Sequence, residues 1–436
     1  MGTKTNKKEP SVSWQVLEVM IFFTVLTFIF SFITGSFSDN IKGFADIITA
    51  PGQLTLDYFK FGTVGGAFLN VAMTGLGTVL VFAFSGAELN GVSLMAYFLT
   101  IGFSFFGMNF LNIWPCIFGT WLFTRVKRQP FAKQVNIAVF STALAPFVSE
   151  GIFRYPTPNF AVSVILGIAL GTIAGFLMPI LCAHSPNMHL GYTLYNAACV
   201  AGFIGIMLAA FLFRFRGVDI PDNTDIGDSY RLIVNCYALI GSGLAFVIGL
   251  VKNKGSLKEL AGVFRKSGYK CDLVKDFGVP VTWMNIGLFG IFVTGYYNLV
   301  GAGMTGPTCG SIICLLAVAP CGAHIFNMIP IMLGYFIASL FGVFTLSTQA
   351  IIVGLCFAGA LTPVAGSFGM IGGIGAGFLH AMMVTTVVTF HSGLCLYNGG
   401  FTCGITAIIY APILNCFFTP SPTMRYRLLP IRKKEE

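Results

Sequence analysis

HLGYTLYNAACVAG, residues 189–202, and HSGLCLYNGGFTCG, residues 391–404, are two versions of one pattern. His, Gly, the triplet Leu-Tyr-Asn and a closing Gly recur at one spacing, 202 residues apart. The same shift pairs Ala174, Gly175, Phe176 and Leu177 with Ala376, Gly377, Phe378 and Leu379. A shift of 215 aligns residues 70–119 with 285–334 without a gap. It pairs Asn70 with Asn285, and GAELNGVS (86–93) with GAGMTGPT (301–308). It also pairs GMNFLNIWPCIFG (107–119) with GAHIFNMIPIMLG (322–334). The matches fall on Gly, Asn, Pro, His and Tyr, whereas chance pairing of apolar residues would fall on Leu and Ile. The chain is a duplication.

The solvent of that duplication follows from composition. Of 436 residues, 56% are hydrophobic and 9% charged, against about 25% charged in a soluble domain. No Asp, Glu, Lys or Arg occurs from Val279 to Met424, although about 20 apolar residues suffice to cross a bilayer. The 52 glycines suit closely packed membrane helices. The fold class expected is all-α: a polytopic transmembrane protein of two inverted-topology repeats, with about 10–14 membrane segments. Segments 89–106, 135–149, 307–320 and 347–361 are short for a span and read as tilted, half-length or re-entrant.

The organisation reads as an N-terminal tail (1–13), repeat one (14–213), an acidic linker (214–228), repeat two (229–420) and a basic tail (421–436). The net charge of +9 sits in short loops and tails, so it reports topology and not nucleic acid. The N-terminus, residues 125–133, residues 252–270 and the C-terminal tail are basic and are expected in the cytoplasm. The linker and loop 36–60 are expected outside. Basic 125–133 corresponds to uncharged 340–348, so the two copies face opposite ways. Seven crossings per repeat satisfy this pattern, and so do five crossings with a re-entrant pair. The twelve cysteines lie mostly in apolar segments and read as small packing residues.

Three motifs carry chemistry, each beside a structural alternative. Asn90 and Ser93, with Thr305 and Thr308, stand where helices start. Free N–H groups and a positive dipole end there suit a carbonyl or an anion, and the pair is expected to meet near the midplane. The alternative is an ordinary helix cap. His189, Tyr195 and Asn196, with His391, Tyr397 and Asn398, are costly in hydrocarbon unless they are paired or wet. His189 and Asn196, seven apart, would share one helix face. Asn112 and Asn327 precede Pro115 and Pro330 and can satisfy a freed carbonyl, coordinate an ion, or only steady a kink. Glu88 reads as a surface residue or a coupling acid. GGIGAG (372–377) reads as small-residue helix packing. Motifs of soluble enzymes and of cofactor or metal binding are absent.

The duplicated pattern resembles an uncharacterised family of bacterial multi-pass membrane proteins over most of residues 14–420, a resemblance that implies no activity. The organisation is also similar to urea channels, whose inverted halves carry paired Asn-rich re-entrant turns. Their longer signatures are not present, so no residue roles follow. The function expected is a transporter or channel in the cell membrane for a small neutral or anionic solute, sited between the repeats. A proton carried by His324, His380 or His391, or a sodium ion, is the expected coupling ion, and a homo-oligomer is compatible. The alternatives are a membrane enzyme using the duplicated His, Tyr and Asn, or a non-transporting membrane partner protein.

Overall fold

In hydrocarbon a backbone must satisfy itself, and a long apolar run does so as a helix. The computed structural model describes residues 10–52, 56–154, 159–216, 228–424, 426 and 428–433. Its first half contains α1 (Val12–Ile33), α2 (Val64–Phe84), α3 (Gly91–Phe103) and α4 (Ile113–Val126). The bent pair α5 (Val135–Leu144 and Pro146–Arg154), α6 (Phe160–Cys182) and α7 (Asn196–Arg216) follow. The second half repeats the series as α8 (Arg231–Lys252), α9 (Val279–Leu299), α10 (Gly306–Leu316) and α11 (Ile325–Ser339). It closes with α12 (Gln349–Phe368), α13 (Met370–Val387) and α14 (Asn398–Phe417). Among the described residues nine helices are long and apolar enough to cross a membrane, ten when α5 is counted with its 47° bend.

The short helices form hairpins. A buried amide in a membrane helix needs partners, and Asn70 of α2 finds them at the tip between α3 and α4. Its Nδ2 donates to the carbonyls of Ser104 (2.8 Å) and Met108 (3.0 Å). Asn285 of α9 does the same for Ala319 (3.1 Å) and Ala323 (2.9 Å), each 215 residues further on. From its tip α4 returns along α2: Trp114 packs at Gly77, and Phe118 and Trp121 share a groove with Val81 and Phe84. Both α3–α4 and α10–α11 therefore enter and leave on one side. Among the described residues each half then holds five helices or bent pairs long and apolar enough to cross, which fits five crossings with a re-entrant pair rather than seven crossings.

Equivalent helices meet antiparallel. Gly91 at the start of α3 lies against the carbonyl of Pro320 just past α10. Gly102 near its end lies against Gly310, and the carbonyl of Phe105 against Gly306. In the pair α7–α14, Cys199 meets Gly404, Gly202 meets Phe401 and Gly205 meets Cys395. The operation relating the halves thus reverses helix direction. Small residues allow these approaches. A Cβ at Gly175 of α6 would overlap the backbone of Cys116 in α4, and one at Gly377 of α13 that of Ile331 in α11. The run 372–377 is helix packing.

Contacts also sort the loops onto two faces. Lys252 pairs with Glu18, and Ser13 accepts from the N–H of Leu89 (3.0 Å). The tail reaches the loop after α8 through Met424 N–H and the Arg265 carbonyl (2.7 Å). The described parts of the basic segments, including Arg125–Lys133, lie on this one face. The linker 217–227, residues 1–9 and residues 434–436 lie outside the described residues.

Candidate functional site

The helix starts at 90–93 and 305–308 do not meet. Because α3 and α10 lie side by side and antiparallel, their starts stand at opposite ends of the pair. Asn90 Oδ1 accepts from Val92 N–H (3.0 Å) and Ser93 N–H (3.3 Å), and Ser93 Oγ accepts from Asn90 N–H (3.3 Å). Thr305 Oγ1 accepts from Thr308 N–H (3.3 Å) and donates to Gln349 Oε1 (3.1 Å). Thr308 Oγ1 donates to the carbonyl of Gly303 (2.5 Å). All four cap their own helices.

A carboxylate from the opposite half completes each start. Asp272 Oδ1 accepts from Gly91 N–H, and Asp57 Oδ1 from Gly306 N–H, both at 3.1 Å. Asp57 and Asp272 are again 215 apart. Extending the alignment upstream through Lys60 and Lys275 would have found them. A negative group at a helix start is favourable, so no solute is needed there.

Asn112 and Asn327 hold the hairpin tips. Asn112 Oδ1 accepts from Asn109 N–H (2.9 Å), and its Nδ2 donates to the carbonyl of Gly107 (3.3 Å) and to Ser149 Oγ (3.0 Å). Asn327 Oδ1 accepts from His324 N–H (2.8 Å) and its Nδ2 donates to the Gly322 carbonyl (3.0 Å). Gly107 and Gly322 have φ of 73° and 99°, a left-handed turn that a side chain resists. Pro115 sits in the first turn of α4, where the missing N–H costs nothing. Glu88 is exposed.

The third motif lies at a loop-to-helix junction and not along one helix. Leu190 and Ser392 both take φ of 55°, and α7 and α14 begin only at Asn196 and Asn398. His189 Nε2 and Asn196 Oδ1 are nevertheless 3.2 Å apart, as are His391 Nε2 and Asn398 Oδ1. Asn196 Nδ2 donates to the Cys182 carbonyl (3.3 Å) and Asn398 Nδ2 to that of Val384 (3.0 Å). Burial holds the His189 ring below its ordinary titration range, against the bond from Asn196. Replacing Asn196 or Asn398 by Ala is expected to cost about 0.6–2 kcal/mol of stability, read by thermal unfolding in detergent.

The two asparagines also open onto space. Asn196 lines a cavity of about 380 Å³ with Lys133, Asn136, Met95, Tyr195 and Tyr397. Asn398 lines one of about 130 Å³ with Ala350, Val353, Gly354 and Thr385. These are counterparts: Lys133, Asn136 and Ile137 correspond to Ala350, Val353 and Gly354 at a shift of 217, and Cys182 to Val384 at 202. The larger cavity lies toward the basic face and the smaller toward the other. Tyr195 and Tyr397 both line the larger cavity, with ring centroids 6.3 Å apart. Phe140 packs on Tyr397 (6.3 Å) and its counterpart Phe357 on Tyr195 (6.0 Å).

A family description, protein of unknown function DUF1576, matches residues 37–214 and 252–416. The chain belongs to the DUF1576 family. The two matched stretches begin beyond α1 and at the end of α8, and then run through the corresponding helices of each half. Comparison with curated proteins and with solved structures gives no match. In this DUF1576 member the duplicated site residues thus separate. Asn90, Ser93, Thr305, Thr308, Asn112 and Asn327 close backbone, while Tyr195, Asn196, Tyr397 and Asn398 flank the two cavities. His189 and His391 brace the asparagines. Lys133 read only as one charge of the basic segment 125–133, and Asn136 left no repeated signature because its structural counterpart, Val353, is apolar.

Proposed function

We propose that the protein is a transporter that moves a small neutral or anionic solute between the two halves by alternating access. The observation that carries this reading is the pair of equivalent cavities, one roomy and one narrow, with two tyrosines and their packed phenylalanines at the larger one. Inverted repeats place a solute at their interface, and exchange of the two shapes would open the path to the other side. Lys133 at the mouth of the larger cavity favours an anion. The excess of Lys and Arg on that face supports reading it as the cytoplasmic one. The repeats, the solute and both cytoplasmic termini are parts of one proposal.

Uptake into proteoliposomes across a panel of small neutral solutes and carboxylates tests it. At least one solute is expected to enter faster than into protein-free liposomes. For an anion, Lys133→Glu is expected to reduce uptake at low concentration about tenfold, equivalent to about 1.4 kcal/mol of mouth electrostatics. No uptake of any solute by the folded protein would refute transport. An unchanged rate in the variant would refute the anion.

A further inference from the structure

Among the described residues two carboxylates are buried, Asp57 and Glu150. Asp57 is accounted for by the N–H groups of Phe59 and Gly306. Glu150 is different. It is wholly buried in a π-helical turn, Glu150–Arg154, at the end of the bent crossing α5. Single π-turns inside helices gather at functional sites, and an ionisable residue at membrane depth is costly without a purpose. Its cation is Arg154, one turn on, with Nε 2.8 Å from Oε2 and a side chain one-quarter exposed. The counterpart of Glu150 at a shift of 217 is Ser367 in apolar α12, so packing alone does not call for an acid here.

The surroundings link Glu150 to the α3–α4 hairpin. Tyr58 is wholly buried beside Asn109. Asn109 is at the tip of the α3–α4 hairpin, and Asn112 of that tip is bonded to Ser149, the neighbour of Glu150. The same hairpin carries Met95, which lines the larger cavity. The remaining elements around Glu150 add few charges. α6 has none from Phe160 to Cys182. The segment with Tyr58 brings Asp57, engaged as above, and exposed Lys60.

We infer that Glu150 is a proton-binding site that couples protonation from the face opposite the basic one to the hairpin tip. A proton from water on the Arg154 side adds to the carboxylate and makes the neutral acid. The ion pair breaks, and Arg154 turns to water. Release of the proton restores the pair. Coupling to a solute rests on the transport reading, whereas protonation does not.

Infrared difference spectroscopy of the full chain in lipid, without solute, tests the site. Wild type is expected to show a protonated-carboxyl band that grows as pH falls and is lost in Glu150→Gln. The same band in the variant, or no titrating band in the folded wild type, overturns the proposal. A band that responds to sodium at fixed pH overturns it in favour of a cation site. If Glu150→Gln does not fold, Arg154→Gln must move the midpoint of the band, and an unmoved midpoint counts against the site. Loss of gradient-driven uptake in Glu150→Gln, with solute exchange retained, extends it to coupling. A Glu150 band in a protein that transports nothing supports the site and sinks only the transport reading.

Discussion

Asn70→Ala is expected to be the most destabilising single substitution in the hairpins. Asn70 donates to the carbonyls of Ser104 and Met108 and accepts from the N–H of Phe110 (3.1 Å). All three backbone groups belong to a tip that is buried at membrane depth. Each one left without a partner costs about 1–3 kcal/mol, so the loss is about 3 kcal/mol or more. Asn285→Ala strands two carbonyls and should cost about 2 kcal/mol or more. Thermal unfolding in detergent should therefore rank Asn70→Ala below Asn285→Ala, and both below Asn196→Ala. If Asn70→Ala lost no more than Asn196→Ala, water would be reaching the tip, and the dry re-entrant hairpin would be wrong.

That ranking shows what the sequence could and could not convey. The repetition of Asn70, Asn285, Asn112 and Asn327 was legible because each holds a turn that both halves must make. Their role was not, since a polar residue in an apolar run announces a cost without naming the partner that offsets it. Asn112 and Asn327 thus read as well for an ion as for the carbonyls they bind. The crossing number stayed open for a related reason. Segments 89–106 and 108–124 each look nearly long enough to span, but α3 and α4 contain 13 and 14 helical residues, about 20 Å each at 1.5 Å per residue.

The histidines illustrate the same limit. His380 is held by Tyr335 (2.6 Å) and the Gly399 carbonyl (2.8 Å), and His324 by the Lys266 carbonyl (3.0 Å). His391 meets Asn398 through one ring nitrogen and the N–H of Cys395 through the other. His380 and His391, bonded at both ring nitrogens, brace helices, while His324 is bonded through Nε2 alone. Among the described residues Glu150 has no such backbone partners, and only its surroundings in three dimensions set it apart from an ordinary surface acid.

The unequal cavities are where function departs from symmetry. A perfect duplication would give two equal cavities, whereas these measure about 380 and 130 Å³; under the transport proposal the larger is the open side and the smaller the closed one. Single cysteines at equivalent positions read this directly. Asn136→Cys places a thiol in the larger cavity and Val353→Cys one in the smaller. The background needs Cys236, Cys271 and Cys416, the cysteines with exposure, replaced by Ser. It also needs Cys182, which lines the larger cavity, replaced by Val, the residue at its counterpart 384. Buried thiols are inert and accessible ones react, so a membrane-impermeant thiol reagent should modify Cys at 136 at least about tenfold faster than Cys at 353. In sealed vesicles that modification should come from the side of the basic loops alone. Equal rates at the two positions, or faster reaction at 353, would contradict a path that is open toward the basic face and closed on the other.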